Sequence, residues 1–282
     1  LSLFGSSAST GSASQSQAYG INVQTSLAGT PIQIIYGSNR ASGNLIWYGD
    51  FNAIEGSSGG KGGAKSSGNY EYFASFILGL CQGPITGINQ VWASQSTAEN
   101  LALASLSLAG GSIAQPPIGY METRHPTQAL GYSGLAYIWG YQYALGSAAE
   151  LPNFNFEVLG IYAGSGGPYG DANPALVVTD FLTNPYYGAG LPSTYLTALG
   201  DFSNYCITQG LWISPIFNQN QDAASLLDDI AKQCNSAWVW SGGILTIVPY
   251  GDVPLAGYGL TWTPPSQPLF SLTDDDFIAD QG

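Results

Sequence analysis

One histidine, three cysteines and a handful of carboxylates are the side chains through which this chain could do chemistry. His125 stands in Glu122-Thr123-Arg124-His125-Pro126, a polar stretch that reads as loop, with an exposed side chain. Any Ser-His-Asp or Cys-His arrangement would have to use it, and general acid–base work needs partners that this stretch does not supply. Cys81, Cys206 and Cys234 are odd in number and far apart along the chain. They make neither a disulfide framework nor a zinc site and read as buried thiols. No cofactor, metal ligand or catalytic residue is expected.

Two glycine-rich stretches invite a nucleotide reading and fail it. Gly59 to Ser66 nearly matches the phosphate loop G-x-x-x-x-G-K-S, but Ala64 stands where the second glycine belongs. Tyr70 onward reads as strand, so the helix N-terminus that would hold phosphate is missing, and a hairpin tip is the better reading. Gly164-Ser165-Gly166 is followed by Tyr169 where the dinucleotide fingerprint needs glycine. Glu55, Glu71, Glu122, Glu150 and Glu157 could supply the paired carboxylates of a glycosidase. No local context sets two of them across a cleft. The 7 Trp and 18 Tyr could stack on sugars, or fill cores and interfaces.

The elements that must position these residues are mostly strands. Ile32, Ile34, Ile35 and Tyr36 form a β-branched run ending at Gly37, and Asn44-Leu45-Ile46-Trp47-Tyr48 follows, ending at Gly49. Tyr70 to Leu80 and Leu135 to Trp139 follow. Phe154, Phe156 and Val158 alternate with Asn153, Asn155 and Glu157, a period of two with one face buried. Such spacing predicts a barrel or sandwich. From Asp171 the character changes. Asn173-Pro174 predicts a helix start and Asn184-Pro185 its end. A second helix is predicted from about Asp222 to Cys234, with Leu226, Leu227, Ile230, Ala231 and Cys234 on one stripe and Asp228, Asp229 and Lys232 facing water. Trp238 to Val248, turning at Ser241-Gly242-Gly243, reads as a hairpin.

Composition bounds the function. The 282 residues carry 5 Lys+Arg against 18 Asp+Glu, a net charge of −13. Only 8% are charged, against roughly 25% in an ordinary soluble domain. Five cations cannot form the patch of a nucleic-acid reader. No apolar run approaches the roughly 18 residues of a membrane span. Leu1 to Ser16 lack the basic start and apolar stretch of a secretion signal. A surface so poor in charge is weakly protected against self-association and suits a subunit of a permanent assembly, or a protein outside the cell.

Three stretches, taken together, resemble one family. The first runs from Gly29-Thr30-Pro31 through Tyr36-Gly37-Ser38-Asn39-Arg40 to Asn44-Leu45-Ile46-Trp47-Tyr48-Gly49-Asp50-Phe51. The second is Cys81-Gln82-Gly83-Pro84-Ile85-Thr86-Gly87-Ile88, followed by Val91-Trp92. The third is Asn173-Pro174-Ala175 through Leu182-Thr183-Asn184-Pro185-Tyr186-Tyr187-Gly188, continuing to Pro249-Tyr250-Gly251-Asp252. In their order and spacing these are similar to the tail-tip hub, or tip attachment, proteins of long-tailed bacteriophages and prophages. The resemblance spans roughly residues 19 to 277.

The resemblance implies a structural protein, mainly β with an α+β part. It implies a homotrimeric ring of β-barrel and smaller α+β hub domains closing the distal end of the tail tube. Expected partners are the distal tail protein, the tape measure protein and other tail-tip proteins, with DNA passing through without specific binding. The expected organisation is a flexible arm over residues 1–18, a β-barrel-like hub domain over 19–170 with a Gly-rich loop at 55–69, an α+β hub domain over 171–250, and a return strand or linker over 251–282, the natural chain continuing beyond. A trimer would carry roughly −39, and an acidic wall would let DNA pass without sticking. Asp274, Asp275 and Asp276 are candidates for such a lumen, with a solvated linker as the alternative. The Gly-rich loop with Lys61 and Lys65, and the arm, are candidate contacts with neighbouring tail proteins. Two other readings stay open: a secreted glycan-binding or glycan-cleaving β protein, and a hub subunit of a phage-derived secretion system or gene transfer agent.

Overall fold

The computed structural model describes residues 31–55, 70–94, 100, 102–165, 167–219 and 221–265. The arm 1–18, the loop carrying Lys61 and Lys65, and the run Asp274, Asp275 and Asp276 lie outside the described residues. The protein is mainly β with an α+β part, and the chain divides into two units, Leu1–Ile161 with Ile216–Gln219, and Tyr162–Pro215 with Asn220–Gly282.

In the first unit the elements follow in the order β1 (Ile34–Ile35), β2 (Ser38–Ser42), β3 (Asn44–Glu55), β4 (Tyr70–Gln82), β5 (Gly87–Ala93), β6 (Ser107–Gly110), α1 (Gly119–Arg124), β7 (Leu135–Gly146) and β8 (Phe154–Leu159), with β9 (Ile216–Phe217) returning to pair with β1. Two antiparallel sheets result, ordered β3-β4-β7-β6 and β2-β8-β5. The predicted alternation in β8 is obeyed: Phe154, Phe156 and Val158 are buried, and the residues between them are not. They meet Phe76, Leu78 and Leu80 of β4, Ile138 of β7, Ala41 of β2 and Val91 of β5 in one core. Face-to-face burial of this kind makes a sandwich. The β-barrel expected of this region is not found: among the described residues the strands stay in separate sheets and none closes on itself.

Strand β4 is apolar almost throughout because both of its faces are covered. Ile77 points away from the sandwich core and packs with Met121 and Tyr137 in a second cluster. Residues 111–134, carrying α1, form that outer cover. Gln115 ties the cover to the sheet. Its Oε1 accepts from Gly111 N–H at 2.8 Å, and its Nε2 donates to the carbonyls of Gly131 at 2.9 Å and Leu135 at 3.1 Å.

The second unit holds α2 (Pro174–Thr183), α3 (Gly200–Gln209), α4 (Ala223–Gln233), and the hairpins β10–β11 (Ser236–Ser241, Ile244–Pro249) and β12–β13 (Leu255–Gly257, Leu260–Trp262). Helix α2 begins where Asn173-Pro174 predicts: Asn173 Oδ1 accepts from Ala175 N–H at 2.9 Å, and Pro174 occupies a position that needs no amide donor. In α4 the stripe Leu226, Leu227, Ile230 and Ala231 is buried, and Asp222 caps the start. Asp229 and Lys232 are exposed, as expected. Asp228 departs from the expectation. It is half-buried and accepts a hydrogen bond from Trp238 Nε1 at 2.5 Å, because β10 packs beside this face of the helix. The β10–β11 turn uses Gly242 and Gly243 at φ 60° and 80°, the left-handed pair that a two-residue hairpin turn demands.

Candidate functional site

Among the described residues of the first unit a polar cluster gathers around Asp50, and two strand irregularities place it. Pairing between β3 and β4 slips between Gly49 and Asn52, and Asp50 takes a left-handed conformation at φ 50°. Asp is among the few residues that tolerate this region. Strand β7 is also irregular, opposite Ala74 to Phe76, where Gln142 lies at φ 44°. Ser75, buried on β4, pairs with Gly49 on one side, and its Oγ accepts the Gln142 N–H at 3.0 Å on the other. Gln142 Nε2 then donates to the Asp50 carbonyl at 2.8 Å. Bulges re-aim side chains and collect beside functional sites; here two bulges turn Asp50 toward the outer cover.

The cover supplies the partners. Met121 buries α1 against Ile77 and Tyr137, and this seats Tyr120 and His125 over the sheet. Tyr120 donates its phenol hydrogen bond to Asp50 Oδ2. His125 Nε2 lies 3.1 Å from the same oxygen. Trp47 meets the imidazole edge-to-face at 5.0 Å and donates from Nε1 to Gln128 Oε1 at 2.8 Å. Tyr120 stacks on Trp139 and tilts against Tyr141 at 5.0 Å.

His125 is therefore not the exposed loop side chain that its flanking residues predict. Helix α1 ends at Arg124, and His125 caps it, its backbone N–H donating to Met121 O at 2.8 Å. Only 23% of the His125 side chain is exposed. Sequence reading missed this cluster because a helix of six residues leaves little periodic signal, and Asp50 is remote in the chain. The one available hint was the aromatic density of the Trp47 stretch.

Electrostatically the cluster favours a charged Asp50 and a neutral Tyr120. The Tyr120 hydrogen bond, helped by His125, holds the Asp50 carboxyl below its ordinary value. Burial and the facing carboxylate push the Tyr120 phenol up to about 12. The arrangement can hold a proton between carboxylate, phenol and imidazole. Chemically the cluster is a clasp that fixes the cover to the sheet. Among the described residues no group of three His, Cys, Asp or Glu side chains is placed to hold a metal ion, and no helix is long and apolar enough to cross a membrane.

The remaining candidates are dispersed. Glu55 and Glu71 are exposed at the far end of the β3–β4 pair, Glu122 is exposed on α1, and Glu157 accepts from Asn89 Nδ2 at 2.9 Å on the outer face of β8. Tyr169 is 94% exposed, while Ser165 Oγ accepts from Asn173 N–H at 3.2 Å. All three cysteines are free and buried. Burial pushes the Cys81 thiol up to about 12.

The first two of the stretches that carry the sequence resemblance meet in space. The Arg40 guanidinium of the first sits 4.3 Å over the Trp92 ring of the second. Gln82 N–H donates to Gln33 O at 2.8 Å, joining the same two.

No family model and no curated protein matches the sequence. Among solved structures the chain is similar to a chain of the virion of a native gene transfer agent particle, at 19% identity and a TM-score of 0.48 over 86% of this chain. It spans 58% of that protein's length.

Proposed function

We propose that the chain is a structural, non-enzymatic component of a bacteriophage tail tip. Three copies form a ring, the baseplate hub, that closes the distal tail tube. The ring binds the distal tail and tape measure proteins and leaves a channel for DNA ejection. The residue stretches that resemble tail-tip hubs support the family, and the Arg40–Trp92 contact supports a shared structural purpose for two of them.

One observation carries the assembly reading. The charge-poor surface is also studded with large apolar side chains. Among the described residues Leu103, Leu130, Tyr169, Tyr186, Tyr250, Val253 and Tyr258 are each more than half exposed. Tyrosine on a charge-poor surface is the composition of an interface core rather than of a free monomer's exterior. Within this reading Lys61 and Lys65 contact neighbouring tail proteins, and Asp274, Asp275 and Asp276 face the channel.

Imaging of intact particles by electron microscopy tests the proposal. Threefold density for this chain at the distal tube end is the expected result. A purified chain that stays monomeric and binds or cleaves polysaccharide would overturn it. A map with every acidic side chain on the outer face would remove the channel assignment alone.

A further inference from the structure

The sandwich of the first unit is open along one side. Strand β6 pairs with β7 only from Ala136 to Trp139, so β7 runs on from Gly140 to Gly146 with no strand on that side among the described residues. Strand β5 pairs with β8 alone. Between these two edges lies a groove of about 360 Å³, whose lining includes Val91 of β5, Leu103, Ala104, and Ala144 of β7. Val91 and Ala104 belong to the sandwich core, so the groove leads onto that core. Leu103, by contrast, is 71% exposed.

Native proteins guard such edges with lysine, proline or inward-pointing charge. Gly87–Ala93 and Gly140–Gly146 carry no proline and no charged residue. A strand seated between them must be apolar toward the core and polar toward water, a period of two. The sequence before Pro31, outside the described residues, contains one. Tyr19, Ile21, Val23, Thr25 and Leu27, aromatic, aliphatic or β-branched, alternate with Gly20, Asn22, Gln24 and Ser26. None of these nine residues is charged, so copies that each carry −13 meet there without like charges facing each other.

We propose that Tyr19–Leu27 of one copy pairs as a strand in the β5–β7 groove of a neighbouring copy. The inference rests on the assembly reading and names one of its contacts. Donor segment and acceptor groove are different surfaces, so each copy gives one strand and receives one. Such a head-to-tail contact is the kind that closes a ring of three. The tether allows it: fully extended, Leu27 stands up to about 14 Å and Tyr19 up to about 43 Å from Pro31. Leu103, among the most exposed apolar side chains of the assembly reading, is covered by the incoming strand.

The test co-produces two differently tagged full-length variants, Val23→Cys and Leu103→Cys, and treats them with a short bis-maleimide. The three native thiols are buried and do not compete. The expected product is a cross-link joining the two tags, absent when either variant is made alone. Light scattering on two further variants gives a second reading. Val23→Asp sets a charge on the apolar face and should weaken association at least about tenfold. Gln24→Asp, on the polar face, should leave association within about twofold. No cross-link between tags would overturn the proposal, as would a Val23→Cys, Leu103→Cys double variant that bridges only within one chain, or equal losses for the two aspartates. Threefold density at the tube end with the groove empty would sink this contact and leave the tail-tip reading standing.

Discussion

The Asp50 carboxylate lies 3.1 Å from Nε2 of His125, although 75 positions separate them in sequence. Neither end of this contact is set by regular structure. Asp50 is swung out by a bulge in β3, and His125 is held at the end of a helix anchored by Met121. Tyr120 completes the contact from the same helix.

The clasp has a pH signature at both ends. Tyr120 is pushed above its ordinary value of about 10, so its contribution is whole below pH ~10 and fades as pH rises toward about 12. Asp50 is held down, so its contribution is present above the ordinary carboxylate range and is lost as pH falls through its lowered value. In a tyrosinate absorbance titration, the difference between wild type and Tyr120→Phe should be a single late-ionising phenol. Asp50→Asn should bring that phenol back toward its ordinary value. An unchanged alkaline limb in Tyr120→Phe would refute the assignment.

Phe156 is fully buried at the centre of the sandwich core. Phe156→Ala is expected to cost about 3–5 kcal/mol, read as a shift of the denaturant midpoint followed by tryptophan fluorescence. A cost below ~1 kcal/mol would mean that the two sheets do not depend on this side chain.

Asn173 serves two bonds at once, capping α2 and donating from Nδ2 to Ser203 Oγ at 2.9 Å. Asn173→Ala should therefore cost about 1–2 kcal/mol. Asn173→Asp keeps the cap acceptor and loses only the donor, so it should cost less. Equal losses in the two variants, measured by thermal unfolding, would show that the cap is not the stabilising part.

Two of the five cations of the chain, Lys61 and Lys65, fall in the Gly-rich stretch between β3 and β4. Under the tail-tip reading, Lys61→Glu with Lys65→Glu should lower incorporation of the chain into particles by at least about tenfold, the effect of roughly 1.4 kcal/mol. The isolated chain should keep its unfolding midpoint. Normal incorporation, counted by quantitative mass spectrometry of purified particles, would withdraw these lysines from the contact.

Where neighbouring residues decide the structure, the sequence was enough. Asn173-Pro174 and Asn184-Pro185 bracket α2, the apolar stripe marks α4, strict alternation marks β8, and Gly242-Gly243 marks a turn. Other features are decided by remote contacts and leave little local trace. Helix α3 starts without a side-chain cap at Leu199, and α1 has only six residues. The slips at Asp50 and Gln142 follow from strands that must match across Ser75.

Gln115 binds both shoulders of the 111–134 cover through one amide group. That amide makes the cover a single cooperative unit. Its amide protons should exchange with solvent together, at one rate, rather than peeling from either end. A one-methylene shortening of that side chain to Asn would release both anchorages in one stroke.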